Sequence, residues 1–170
     1  SICADMSNDA EVESMAGTIL EKWGRCDIVI HGASPSIKRI KAEETNYKDV
    51  GVYLEIYLKG AISLVNLFSP YMKDNQFGRF IFLGTSSLYA TPPRGMAAYV
   101  SAKEALWGYT KALSSEIAYN GITVNMVSPS LTITDLTNDI PARIKEVEAF
   151  KNPTRRLVTT IDIASQVVHL

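Results

Sequence analysis

Tyr99 and Lys103 stand four residues apart, and Ala102, Ala105, Leu106, Tyr109, Ala112, Leu113 and Ile117 recur around them at helical spacing. On such a helix a phenol and an ammonium lie on one side, one turn apart. A free Tyr loses its proton at about pH 10, and a nearby cation favours the phenolate. Lys103 is therefore expected to make Tyr99 a better acid–base group near neutrality. Ser86 lies thirteen positions before Tyr99, where its hydroxyl can donate to the same substrate oxygen and steady the charge that develops there. Thr85 competes for that role. Counting from the preceding strand favours Thr85, counting back from Tyr99 favours Ser86, and the second count is preferred because Tyr99 fixes the helix register. The set suits moving a proton on or off a carbonyl or alcohol oxygen. No side chain supplies a hydride, so a nicotinamide cofactor is implied.

The residues before Tyr99 are those that must position it. Phe80 to Leu83 is an apolar run without alternation, as in a strand covered on both faces of a parallel sheet, and ligands of such sheets sit at the carboxyl ends of their strands. Asp27 to Ile30 and Ile122 to Val127 read as two further buried strands, the first a central one, and Ser1 to Met6 as the tail of another. A helix capped by Ser7 or Asn8 carries the stripe Val12, Met15, Ala16, Ile19, Leu20, Trp23 and ends at Gly24. A long helix over about 48–73 places Leu54, Tyr57, Leu58, Ala61, Leu64, Val65 and Phe68 on one face, with Pro70 near its end. Pro35 to Asn46 is a polar surface loop. Thr160 starts a last helix as its Thr cap. Strands alternating with helices predict an α/β fold: a doubly wound, Rossmann-like parallel sheet in three αβα layers.

The chain has 170 residues, 46% apolar and 21% charged, with a net charge of −1. That composition fits one globular domain and gives no basic patch for nucleic acid or an anionic membrane. No uninterrupted apolar run reaches the length of a membrane span. Cys3 and Cys26 make neither a disulfide framework nor a metal pattern, so reduced thiols and a cytoplasmic setting are expected, with no metal site.

One Tyr-x-x-x-Lys pair is weak by itself. Together with Gly84-Thr85-Ser86, the distance to Tyr99 and the later Asn125-Met126-Val127-Ser128-Pro129, it resembles the short-chain dehydrogenase/reductase family, and within it the 3-oxoacyl carrier-protein reductases. The resemblance runs from about residue 3 to the end. It implies an NAD(P)-dependent oxidoreductase that transfers a hydride between NAD or NADP and a small carbonyl or secondary alcohol. Ser86, Tyr99 and Lys103 would be catalytic, and Lys103 would also hold the cofactor ribose. Asp5 and Met6 would meet the adenine, His31 and Ala33 the ribose, and Thr132 and Thr134 the nicotinamide end, with a substrate lid over about 131–152. A homodimer or homotetramer through the two long helices is implied as well, with Val52, Ile62, Val100 and Trp107 available for it.

The chain departs from the family pattern at three places. His31 stands for an Asn and Ser34 for a Gly in the usual Asn-Asn-Ala-Gly, and Tyr57 stands for an Asn whose proposed job is to hold a water behind the Lys. These substitutions favour one alternative, a catalytically impaired binding or regulatory member of the same fold. A nucleotide-sugar epimerase or dehydratase relative, which also uses Tyr and Lys, is the other. Asp5 can equally be a polar strand-end residue, and His31 either a structural hydrogen-bonder or a proton carrier. No Gly-rich phosphate loop occurs in the sequence, so residues 1–170 are expected to form a partial Rossmann domain, incomplete at both ends, that alone binds cofactor poorly and exposes an apolar strand edge.

Overall fold

The computed structural model describes residues 1–170. Three parallel strands, β1 (Ile28–His31), β2 (Gly78–Leu83) and β3 (Ile122–Val127), form one sheet in the order β1-β2-β3. Val29 lies opposite Phe80 and His31 opposite Phe82, and across the other ladder Phe80 lies opposite Val124. The middle position belongs to β2, so β1, expected to be central, is an edge strand; Ile28 and Ile30, on the face of β1 opposite to Val29 and His31, are 55% and 54% exposed. Residues 1–5 carry no strand pairing, contrary to the reading of Ser1 to Met6 as the tail of a strand.

Helices follow each strand, as right-handed crossovers require. They are α1 (Asp9–Trp23), α2 (Tyr47–Leu54), α3 (Gly60–Asp74), α4 (Ala97–Ile117), α5 (Ala142–Lys151) and α6 (Thr160–His169). Asn8 caps α1 by accepting from Ala10 and Glu11 N–H, and Gly24 closes it with φ 71°. Asn46 and Asp49 form a reciprocal capping box on α2. The cap of α6 is Thr159, one residue earlier than the sequence pattern places it, in a box with Asp162.

Alternation along the strands sends Val29, Phe80, Phe82 and Val124 to one face, where they share a core with Val12 and Ala16 of α1, Leu64, Phe68 and Met72 of α3, and Leu106 and Leu113 of α4. Phe80 and Phe82 are completely buried there, each worth about 2–3 kcal/mol by apolar area. α2 and α3 are joined by a single π-helical turn, Glu55–Lys59, so Tyr47–Asp74 is one helical rod of 28 residues. Its length and composition would suffice to cross a membrane, contrary to what the interrupted apolar run predicts. Its apolar stripe, however, including the fully buried Tyr57 and Ala61, is spent on the sheet.

Candidate functional site

Near the carboxyl end of β2, the first two turns of α4 pack against α2 and the π-helical turn. There Tyr99 and Lys103 share one face, as their spacing predicts, and both are buried, at 8% and 6% exposure. Lys103 Nζ donates to the Leu83 carbonyl at 2.6 Å, where β2 ends. It also sits 3.7 Å from the centre of the Tyr57 ring. The Tyr99 ring packs edge-on against both Tyr53 and Tyr57, at 6.0 and 5.9 Å, and those two stack on each other at 5.9 Å. Three phenols and one ammonium therefore occupy a nearly dry corner.

Burial decides the protonation states of this corner. It pulls the Lys103 ammonium down to about 7, because no carboxylate pairs with it. Burial also pushes the Tyr99 phenol up, with the Thr85 hydroxyl acting in the opposite direction. Burial thus acts on Tyr99 in the direction opposite to the acidifying influence expected of Lys103. Tyr99 stays neutral near pH 7, and a neutral phenol is a proton donor.

Thr85, 9% exposed, is the hydroxyl set beside Tyr99. Its oxygen accepts from Ser87 N–H at 3.3 Å, capping the short helical turn Ser86–Leu88. Ser86 opens that turn and is fixed through its backbone, whose N–H donates to the Pro129 carbonyl at 2.9 Å. Ser86, which the spacing argument favours, thus stands one position beyond Thr85 at the start of the turn between β2 and α4. The uncertainty lay in the loop, because a strand-to-helix connection has no fixed length.

Tyr57 was not on the sequence's catalytic list, yet it lies at the centre of the cluster. Its hydroxyl is 2.6 Å from Ser34 Oγ, and burial pushes its phenol well above the ordinary range. His31 is buried at the end of β1 and pairs through Nε2 with the Ile56 carbonyl at 2.9 Å. Desolvation lowers its pKa and the Ile56 carbonyl opposes that shift, so the ring is neutral near pH 7 and donates from Nε2. This is the structural hydrogen bond that was one of the two readings of His31.

The remaining candidates lie around this centre. The carboxylate of Asp5 is exposed and accepts from Ser7 N–H and Oγ at 2.9 and 2.8 Å. Met6 reaches Gly60 alongside His31. Ala33 is exposed just past β1. Thr132 is buried and donates to the Ser130 carbonyl at 2.9 Å, while the Thr134 hydroxyl pairs locally with Thr137. Residues 131–152 hold α5 and present Ile144, Val147 and Phe150 to solvent.

Two features fit the nicotinamide-ribose half of a dinucleotide. Lys103 gives one N–H to the Leu83 carbonyl and faces the Tyr57 ring, and the donor capacity that remains suits ribose hydroxyls. Ser128 Oγ is buried beside Gly84, between the ends of β2 and β3, without a hydrogen-bond partner. A Cβ at Gly84 would meet both Ser128 Oγ and Met126 Sδ, so the sheet is drawn tight at this mouth.

Comparison with known proteins agrees with this geometry. The family model described as enoyl-(acyl carrier protein) reductase matches residues 1–170. The chain is 29% identical to (2S)-[(R)-hydroxy(phenyl)methyl]succinyl-CoA dehydrogenase subunit BbsD of Thauera aromatica, over 98% of this chain and 66% of that protein. It is 29% identical to the 3-oxoacyl-[acyl-carrier-protein] reductase FabG of Staphylococcus epidermidis, over 99% and 68%. It is 27% identical to the D-beta-hydroxybutyrate dehydrogenase of Rhizobium meliloti, over 98% and 69%. The chain spans about two thirds of the length of these curated relatives. With its matching profile, its parallel sheet and its Tyr99–Lys103 pair at the strand ends, the chain belongs to the short-chain dehydrogenase/reductase family of NAD(P)-dependent oxidoreductases.

Proposed function

We propose that this chain carries the acid–base centre of a reductase for 3-oxoacyl-type carbonyls, working in reverse as a dehydrogenase of the matching 3-hydroxy compounds. The observation that carries this reading is the buried Tyr99–Lys103 pair at the end of β2, with Lys103 pinned to the Leu83 carbonyl. The names of the relatives support the substrate class, since 3-oxoacyl and beta-hydroxy groups are the oxidised and reduced forms of one position.

The chemistry divides among few groups. Thr85 accepts from Ser87 N–H, and its own proton, turned toward Tyr99, is within the corner where the substrate oxygen would sit. Tyr99, neutral through burial, hands its proton to that oxygen as negative charge develops. Lys103 holds the ribose hydroxyls with the donor capacity left by the Leu83 carbonyl and the Tyr57 face, and stabilises the phenolate left on Tyr99. When bound, the nicotinamide supplies or accepts the hydride. The contacts of Asp5, Met6, His31, Ala33, Thr132 and Thr134 with the cofactor, and a lid role for 131–152, belong to the same proposal.

Association through α3 and α4 is also proposed. Val52 is 56% exposed on the rod that leads into α3, and Ile62, Val100 and Trp107 are half-buried. Cys3 and Cys26 are unpaired, which fits a reducing compartment, and we place the protein in the cytoplasm. Nicotinamide absorbance followed in the full-length protein with 3-oxoacyl thioesters, simple ketones and sugars tests the reading. Turnover of the thioesters that depends on Tyr99 supports it. No turnover with any of them, in a folded protein that binds dinucleotide, overturns it.

A further inference from the structure

His31, Ser34 and Tyr57, the three departures from the family pattern, lie far apart in sequence and are joined in space. Ser34 Oγ lies 3.0 Å from the Pro35 carbonyl and 2.6 Å from Tyr57 OH. A serine has one proton, and the carbonyl takes it, so the Tyr57 phenol is the donor to Ser34. The phenol is thereby fixed at its far end. At its near end the backbone leaves the ordinary helical pattern: Gly60 N–H bonds back to the Glu55 carbonyl, closing the π-helical turn. Such turns add a residue to a helix and turn a side chain out of its regular stripe, and they recur at functional sites. Within the turn the Ile56 carbonyl is taken by His31 Nε2 at 2.9 Å. Lys59 ties the same turn to the start of α1, donating to the Ser7 carbonyl at 3.0 Å and pairing with Asp9 at 3.1 Å.

The result is a Tyr57 ring held at both ends, with its face 3.7 Å from Lys103 Nζ. We propose that Tyr57, anchored by Ser34 and set in place by the His31-braced π turn, positions Lys103 through a cation–π contact so that its remaining donor capacity stays available at the active site. The proposal rests on the reductase reading for what Lys103 does, and on geometry alone for how Lys103 is held. A buried ammonium normally relies on a carboxylate. Here the Leu83 carbonyl and an aromatic face take that part, and an aromatic face is worth more to a cation in a dry site than at the surface. The groups around Lys103 are Tyr99 from α4, Tyr53 from α2, Tyr57 from the π turn, neutral His31 from β1 and the Leu83 carbonyl from β2. None of them carries a negative charge near pH 7, so the ring face is the main support of the positive form besides that carbonyl.

The test reads Lys103 directly, without cofactor. In the full-length protein with carbon-13 at the lysine Cε positions, the Lys103 signal, assigned by its loss in Lys103→Arg, is titrated by NMR. Tyr57→Leu and Tyr57→Met, two fillers without a π face, are expected to lower the Lys103 midpoint by about 1 unit. Tyr57→Phe, which keeps the ring, is expected to hold it within a few tenths of a unit of the parent. In turnover, the Leu and Met variants should lose kcat more than they raise KM for the carbonyl substrate, with Phe restoring most of the loss. An unmoved Lys103 midpoint in whichever of the Leu and Met variants folds, or a Phe variant shifted as far as they are, overturns the proposal. A shifted midpoint in a protein with no nicotinamide turnover would uphold this contact and overturn the reductase reading instead, so the two failures are distinct.

Discussion

Lys103 Nζ lies 3.7 Å from the ring centre of Tyr57 and 2.6 Å from the Leu83 carbonyl oxygen, and no acidic side chain comes near it. An ammonium held this way is charged at a cost, and that cost is what lowers its pKa to about 7. The site thus contains a lysine close to half-protonated at neutral pH beside a tyrosine that burial keeps neutral. One group can change charge near the working pH and the other can give up a proton only when something nearby compensates.

The lysine makes stability depend on pH in a definite direction. Its folded pKa lies below its ordinary value of 10.5, so between about 7 and 10.5 the unfolded chain holds the extra proton and stability rises with pH. Below about 7 both states are protonated and the burial penalty is fully present. Urea unfolding between about pH 7 and 9 should show the parent gaining on Lys103→Met by up to about 1.4 kcal/mol per pH unit. Equal slopes for the two proteins would show that Lys103 is not desolvated.

Tyr99→Phe removes the proton donor and keeps the ring that packs on Tyr53 and Tyr57. Turnover measured by nicotinamide absorbance should fall about 10²–10⁴-fold, with the thermal midpoint changed by no more than a few degrees. Retention of activity would remove Tyr99 from the chemistry.

The turn before β3 offers a test of the scaffold away from the site. Gly121 has φ 72°, and a Cβ there would run into the Gln76 carbonyl in the turn between α3 and β2. Gly121→Ala should therefore cost about 2 kcal/mol or more, from left-handed backbone plus the clash, read as a lowered urea midpoint at unchanged slope. A loss below half of that would mean that the loop relaxes freely.

The elements of this chain were legible because each carries a local signal. Asn8 and Gly24 bracket α1, Asn120-Gly121 ends α4 and its short extension, and the four-residue spacing of Tyr99 and Lys103 needs only a helix to bring them together. The centre of the site was less legible, because its determinants are tertiary. A π-helical turn has the composition of an ordinary helix, so the residue it adds at Glu55–Lys59 leaves no trace in the apolar stripe. The pairing of Ser34 with Tyr57 spans 23 positions, and no spacing rule connects them. What reads as the loss of a family amide at Tyr57 is therefore, in three dimensions, one part of a joined arrangement with Ser34 and His31. The upward push of burial on Tyr99 was illegible for a related reason: spacing reports that a cation is near, whereas burial depends on what covers the pair.

The choice between Thr85 and Ser86 turns on one residue of loop length, and a pair of variants decides it. The Thr85 hydroxyl accepts from Ser87 N–H and turns its proton toward Tyr99, whereas Ser86 is tied down through its backbone to Pro129. Thr85→Val preserves shape and deletes the donor, so kcat should fall about 10²-fold, while Thr85→Ser retains the donor and most of the rate. Ser86→Ala should cost less than about tenfold, since a hydroxyl that does not reach the oxygen contributes little to the transition state. Val at 85 also removes the cap of the short turn Ser86–Leu88, so its thermal midpoint is read in parallel, and the Ser variant, which can still cap, separates a lost donor from a loosened loop. If Ser86→Ala proves the more damaging of the two, the count back from Tyr99 identifies the substrate-binding hydroxyl, and the turn must rearrange when substrate binds.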